Sequence, residues 1–270
     1  MVSTATPFIR WAAPAPAATV AALRVLLAAA VLLVVGRGAL ARFMALPGRD
    51  RALIVMSGIL FGVHLGVWIA SLYFTSTAAS VALVATSPVF AALLGATIGD
   101  RVGRREWIGI AIAGAGCAVL AGGDWRAGGD AIIGDALALL GAVTVAGYLV
   151  IGRRLRATLP LAQYLAIVNL VAGVGLLAVA LATGARLRGL PIHSYVAIAG
   201  AAIVASLGGH TLLNVAVRRT PTHLVTLASL GEPVGASLLT WALFSEQPSL
   251  HAAIGGAIVL GGIALGFVRR

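Results

Sequence analysis

Two histidines stand at matching places in the chain, His64 and His210 (210 − 64 = 146), and each is followed four residues on by a companion of different chemistry, Trp68 and Asn214. On a helix that spacing puts each pair on a single face. An imidazole titrates near neutral pH and can relay a proton. On an apolar helix such a face turns to the bundle interior or to a wet cavity, because lipid satisfies no hydrogen bond. Both faces, together with Tyr148, are therefore expected to line a substrate pathway; the plainer alternative is a histidine bonded to a neighbouring helix as packing glue. Glu232 is the third candidate, the only acidic residue near the middle of an apolar stretch. A carboxylate there costs roughly 2.5 to 3.5 kcal/mol, so it needs a partner, a proton or a cavity. Its counterpart in the first half is Ser87 (232 − 87 = 145). Glu232 reads either as a proton or cation relay or substrate-amine contact, or as a neutral carboxyl bonded to backbone freed by Pro233.

Pro88 and Pro233 (233 − 88 = 145) fall in mid-stretch, where a proline removes a backbone hydrogen bond and kinks a helix. Kinks at matching places point to gates beside a binding site, although membrane helices also carry proline without any gating role. Arg24 lies about seven residues into its apolar stretch and corresponds to Asn169 (169 − 24 = 145). A structural role is expected for both, with Arg24 either snorkelling to a headgroup or pairing with carbonyls or an acid inside the bundle.

The elements that hold these side chains follow from composition. In 270 residues, 60% are hydrophobic and 10% charged, with a mean hydropathy of +1.05. Such a chain belongs in a bilayer. A hydrocarbon core about 30 Å thick takes roughly 20 helical residues. Full spans are expected near 17–36, 52–73, 77–98, 106–122, 134–152, 160–182, 194–217, 222–244 and 249–267. The spans at 106–122 and 249–267, which become the fifth and tenth when the apolar stub before Pro14 is counted as a first helix, are rich in small residues that permit close packing: Gly109, Gly114 and Gly116 in one, Gly255, Gly256, Gly261 and Gly262 in the other. They read as scaffold, either packed together or meeting a second copy in a homodimer.

The formal charge of +11 is spread one loop at a time rather than gathered on a face, which argues against nucleic acid. Alternate loops carry Arg37, Arg42, Arg49 and Arg51, then Arg101, Arg104 and Arg105, then Arg153, Arg154 and Arg156, then Arg218 and Arg219, and last Arg269 and Arg270. The opposite loops hold only Arg10, Arg126, Arg186 and Arg188. By the positive-inside rule the first set, with the C-terminus, is cytoplasmic. The chain contains no lysine, which excludes a P-loop lysine and Schiff-base chemistry. Cys117 stands alone, so disulfides within the chain, iron–sulfur clusters and cysteine zinc sites are excluded too. No cofactor is expected.

The two halves repeat one pattern: SVALVATSPVFAALLG around Pro88 pairs with LVTLASLGEPVGASLL around Pro233. Each copy holds an odd number of spans, so the copies must be inverted in the membrane, a transporter signature. Further motifs follow in fixed order. ALRVLLAA lies in the second span, WIASLYFTSTAASVALVATSPVFAALL crosses the third and fourth, and Gly99-Asp100 precedes WIGIAIAGAG. HTLLNVAV, Ser245-Glu246 and AIGGAIVLGG answer in the second copy. Over essentially its whole length the chain resembles the EamA-like branch of the drug/metabolite transporter superfamily. The resemblance implies an all-α polytopic membrane protein, a ten-helix (5+5) inverted-repeat bundle around a central cavity, moving small organic solutes. Residues 1–127 would form the first repeat and 128–270 the second. Asp100 and Ser245 stand where the family usually shows Glu and Gly, a departure at loop ends. Asp100 and Glu246 are expected to act as interfacial caps.

The expected function is a secondary carrier exporting small organic metabolites or amphipathic compounds from a bacterial-type inner membrane, with a proton or cation as coupling ion and lipid as its surroundings. An intramembrane enzyme using His64, His210 and Glu232 is an alternative, but the histidines form no HExxH pair and no nucleophile–base spacing stands out. A non-transporting scaffold is another, against which the short loops argue. The stub before Pro14 is too short to cross a bilayer, whereas its counterpart from Gly134 to the Arg153 loop is complete. A truncation or misassigned start is therefore expected, with both termini cytoplasmic once the first helix is whole. The genomic check is an in-frame apolar coding stretch upstream; a stop codon directly before Met1 would rule it out.

Overall fold

A chain this apolar hides its backbone from lipid by closing its N–H and C=O groups within helices. The computed structural model describes residues 2–120, 129–155, 158–244 and 249–268, which are helical with no strand among them. Arg126, Arg156, Ser245, Glu246, Arg269 and Arg270 lie outside the described residues. Among the described residues seven helical stretches are long and apolar enough to cross a bilayer: Ala17–Val35, Gly48–Phe74, Ala79–Ala96, Gly129–Arg154, Leu161–Ala182, Ile192–Val217 and Leu250–Phe267. The chain is a polytopic integral membrane protein.

The chain divides into two compact units, each drawing on both halves of the sequence. The first comprises residues 1–69 and 147–219. It holds α1 (Ala5–Trp11), α2 (Ala17–Val35), α3 (Ala39–Met44), most of α4 (Gly48–Phe74), the end of α8 (Gly129–Arg154) and α9 (Leu161–Ala182). Its last span is composite: α10 (Ile192–Gly200), a π-helical segment (Ala201–His210) and α11 (Thr211–Val217). Small residues bring these helices close. A Cβ on Gly173 of α9 would lie 2.7 Å from Leu26 of α2, and one on Gly62 of α4 would lie 3.1 Å from the Ala172 backbone. Near the helix ends, Arg153 of α8 donates to the carbonyl of Val217, the last residue of α11 (2.9 Å), and Arg218 donates to that of Leu159 in the loop before α9 (3.0 Å).

The second unit comprises residues 70–146 and 220–270. It contains α5 (Thr77–Val84), α6 (Ser87–Ala96), α7 (Arg104–Leu120), α12 (Thr222–Ser229), α13 (Glu232–Phe244) and α14 (Leu250–Phe267). Here α7 and α14 pack on each other through their glycines. A Cβ on Gly109 would meet the Gly262 carbonyl at 2.7 Å, and one on Gly116 would meet Val259 N at 2.6 Å. Of the two arrangements open for these spans, the structure has them packed together. Cys117 is buried in the adjoining core with Ala113, Leu227 and Val259.

Span ends differ from expectation where charge was taken as a stop. Helix α4 begins at Gly48 and carries Arg49, Asp50 and Arg51 in its opening turns, and α8 begins at Gly129. A helix need not end where hydrocarbon does, since long polar side chains reach the headgroups. The prolines do more than kink. At each site the span separates into two helices, α5/α6 and α12/α13, and Pro88 and Pro233 occupy the second position of the following helix. Proline fits there because the first-turn N–H groups have no partner within the helix. Both breaks keep the repeat offset, with helix starts at 77 and 222 (222 − 77 = 145) and at 87 and 232 (232 − 87 = 145).

The glycine contact is testable. Gly116→Leu is expected to destabilise the detergent-solubilised protein by about 1–3 kcal/mol through overpacking. Gly114→Leu, whose Cβ would meet nothing within 4 Å, should leave the melting temperature unchanged; equal effects would mean that the α7–α14 contact does not depend on glycine.

Candidate functional site

In the first unit α4 turns Phe61, His64 and Trp68 to one side. The His64 and Trp68 rings lie nearly parallel, 8° apart in plane with centroids at 6.4 Å. His210, at the end of the π segment, sets its edge against Phe61 (centroids 4.8 Å, 69°) and stands 6.4 Å from both His64 and Tyr148. Phe61 in turn stacks on Tyr148 of α8 at 4.7 Å. One helical turn beyond His210, Asn214 donates to the Tyr148 hydroxyl and to the His210 carbonyl (2.8 Å). The five candidates His64, Trp68, Tyr148, His210 and Asn214 thus form one cluster, and all are buried.

Beneath the cluster lies a second polar layer that the sequence reading missed. The Ser57 and Tyr164 hydroxyls are 2.6 Å apart, and Ser57 also approaches the Tyr148 carbonyl at 3.5 Å. Gly152 lets Asn214 and Tyr164 approach, since a Cβ there would meet an oxygen of each at 3.1 Å. Phe61 was missed as well, although it lies three residues before His64 and so on its face.

Arg24 does not snorkel. It is 1% exposed and donates Nε to the Ser206 hydroxyl at 2.7 Å, inside the π segment. Reach to a headgroup requires an open path along the helix surface, and α2 presents Arg24 to packed helices instead. Its counterpart Asn169 is buried in α9 and donates to the Leu165 carbonyl of its own helix (2.9 Å).

The other candidates, Ser87, Pro88, Glu232 and Pro233, belong to the second unit. Ser87 is buried as the first residue of α6, and half-buried Glu232 opens α13. Glu232 therefore stands in the first turn of a half helix, where the positive end of the helix dipole favours a carboxylate, rather than in mid-helix as expected. Around the breaks, side-chain hydroxyls add donors to backbone carbonyls: Thr86 to Leu83 (2.6 Å) and Ser229 to Val225 (2.9 Å). Asp100 accepts from the Thr222 backbone N–H (3.0 Å), capping α12 from outside the helix. Glu106 lies 3.2 Å from the buried His223 and accepts from Gly103 N. Among the described residues no three His, Cys, Asp or Glu side chains gather in a metal-binding arrangement.

The EamA-like transporter family model matches residues 1–122 and again 132–268. The chain belongs to the EamA-like transporter family. It is also 31% identical over 169 residues to YedA, an uncharacterised inner membrane transporter of Escherichia coli K12, and to its counterpart in strain O157:H7. That match covers 62% of this chain and about half, 54%, of those relatives. A solved crystal structure superposes with a TM-score of 0.80 over 98% of this chain and 92% of its own, at 21% identity, a likeness of fold. The candidate cluster sits within helices of both matched segments.

The buried amide of this EamA-like protein supports stability directly. Asn214→Ala removes the donor to Tyr148 and is expected to cost about 1 kcal/mol, the usual scale for a polar contact between membrane helices, lowering the melting temperature in detergent by about 2–4 °C. An unchanged melting temperature would mean that the Asn214–Tyr148 contact contributes nothing to the fold.

Proposed function

We propose that the protein is a secondary transporter working by alternating access, with two inverted five-helix copies, residues 1–127 and 128–270. It exports small organic metabolites or amphipathic compounds. The observation that carries this reading is the pair of broken helices, α5/α6 and α12/α13, repeated at one offset of 145 residues (222 − 77 = 145). Broken spans at corresponding places in two halves are characteristic of substrate sites in carriers. Pro88 and Pro233 set those breaks and serve as gate hinges. The cluster of His64, Trp68, Tyr148, His210 and Asn214 lines the solute path with ring faces and hydrogen-bonding groups, a mixture suited to amphipathic solutes. Ser87 and Glu232 open the second halves of the broken spans, and Glu232 exchanges the coupling proton or cation. By likeness to YedA and by its arginine loops, the protein resides in a bacterial inner membrane with its C-terminus in the cytoplasm, and its N-terminus there too once the first helix is whole.

Purified protein in liposomes, loaded with a metabolite panel, is expected to release at least one solute, faster with a proton gradient imposed. Trp68→Cys in a Cys117→Ala background should react more slowly with a thiol reagent when that solute is present, and Glu232→Gln should flatten the pH dependence of flux. Flux from no solute, together with catalysis in detergent, would overturn the carrier reading; flux with unaltered pH dependence in Glu232→Gln would remove the relay role alone.

A further inference from the structure

The third and eighth spans each follow a proline, Pro47 before α4 and Pro191 before α10. Their histidines are not equally far along. His64 comes 17 residues after its proline (64 − 47 = 17) and His210 comes 19 after (210 − 191 = 19). Two extra residues in an α-helix would turn His210 by about 200°, onto the far side of the span, and push it about 3 Å along the axis.

The structure places His210 against Phe61 nonetheless. The compensation is the π segment, Ala201–His210. With i→i+5 bonding a π-helix holds roughly 4.4 residues per turn, or roughly 82° per residue, so ten residues lag an α-helix by roughly 180°. That lag nearly cancels the two-residue excess. It returns His210 and Asn214 to the face that meets Phe61 and Tyr148. Long π stretches are rare, so this one needs support. Half of its residues are Ala or Gly, which leave space for the wider turn, and from α2 the buried Arg24 grips Ser206 at its middle at 2.7 Å.

We propose that Arg24 is a positioning residue: its bond to Ser206 holds the eighth span in a π register, and that register puts His210 and Asn214 onto the cluster with His64 and Tyr148. The inference rests on the two-copy reading of the chain and on the cluster as the solute site. The α4 counterpart needs no such clamp. Its stretch before His64 is regular α-helix, and the residue corresponding to Arg24 is Asn169, which bonds within its own helix.

The test reads register without transport. In a Cys117→Ala background, Phe61→Cys and His210→Cys are joined by a short thiol-to-thiol linker in membranes, and the cross-linking rate is followed. Deleting Ile203 alone is expected to lower the rate about tenfold, since it swings residue 210 by about 100°. Deleting Ile203 and Val204 together should bring the rate back within about twofold of the full-length chain, because an α-helix two residues shorter restores the face. Ser206→Ala should slow cross-linking severalfold while Ser206→Thr, which keeps the hydroxyl, does not. If the single deletion fails to fold, the Ser206 pair decides. The proposal falls if both deletions cross-link alike, or if Ser206→Ala reacts as fast as Ser206→Thr. Because cross-linking needs no solute movement, its failure is distinct from a failure of flux.

Discussion

Within hydrocarbon, a backbone N–H or C=O that finds no partner in the protein finds none at all, at a cost of several kcal/mol. Most of the chain meets that constraint with plain helix. Its departures are the informative places: two broken spans and one π-helical stretch. Each has a side-chain hydrogen bond at or beside it. Thr86 and Ser229 donate to carbonyls beside the breaks, Asp100 takes the N–H at the start of α12, and Arg24 holds Ser206 in the π segment.

The two units use different means of cohesion. In the second, α7 and α14 approach until glycine backbones touch, which gains dispersion contact where lipid offers no hydrophobic drive. In the first, small residues also bring α2, α4 and α9 together, but the interior is polar: Ser57 with Tyr164, Tyr148 with Asn214, Arg24 with Ser206. Polar interiors of this kind contribute little net stability in membranes, on the order of 1 kcal/mol per bond. They lie in the unit that carries His64 and His210.

Much of this was legible in the sequence, and the rest was hidden for identifiable reasons. The membrane character, the positions of most spans and the shared helix faces of His64 with Trp68 and of His210 with Asn214 follow from hydropathy and i+4 spacing, which are local rules; that the two faces meet each other and Tyr148 is a tertiary fact. The breaks at Pro88 and Pro233 were read as kinks because a proline signals interruption without its extent. The sequence leaves Arg24 open between headgroup and interior, because snorkelling depends on which neighbours cover the helix, a tertiary fact. Ser57, Tyr164 and Ser206 carry no signal of their own, since single hydroxyls are common in membrane helices. The π segment was hidden most fully. Its trace in the sequence is a mismatch in counting, 146 residues between the histidines against 144 between the prolines that precede their spans (191 − 47 = 144).

That mismatch separates two kinds of evolutionary freedom in a repeated chain. At the breaks the copies agree to the residue, so the half helices α6 and α13 begin at equivalent points and differ only in what they present there, Ser87 or Glu232. In the third and eighth spans the copies disagree in length but agree in where the imidazole ends up, 6.4 Å from its counterpart. An inserted residue in a membrane helix is tolerated only if the backbone can absorb its rotation without opening a hydrogen bond to lipid, and a π turn does that because each group still bonds within the segment. The geometry is therefore the more telling quantity: the two stretches differ in length and in helix type, and the two histidines still meet in one cluster.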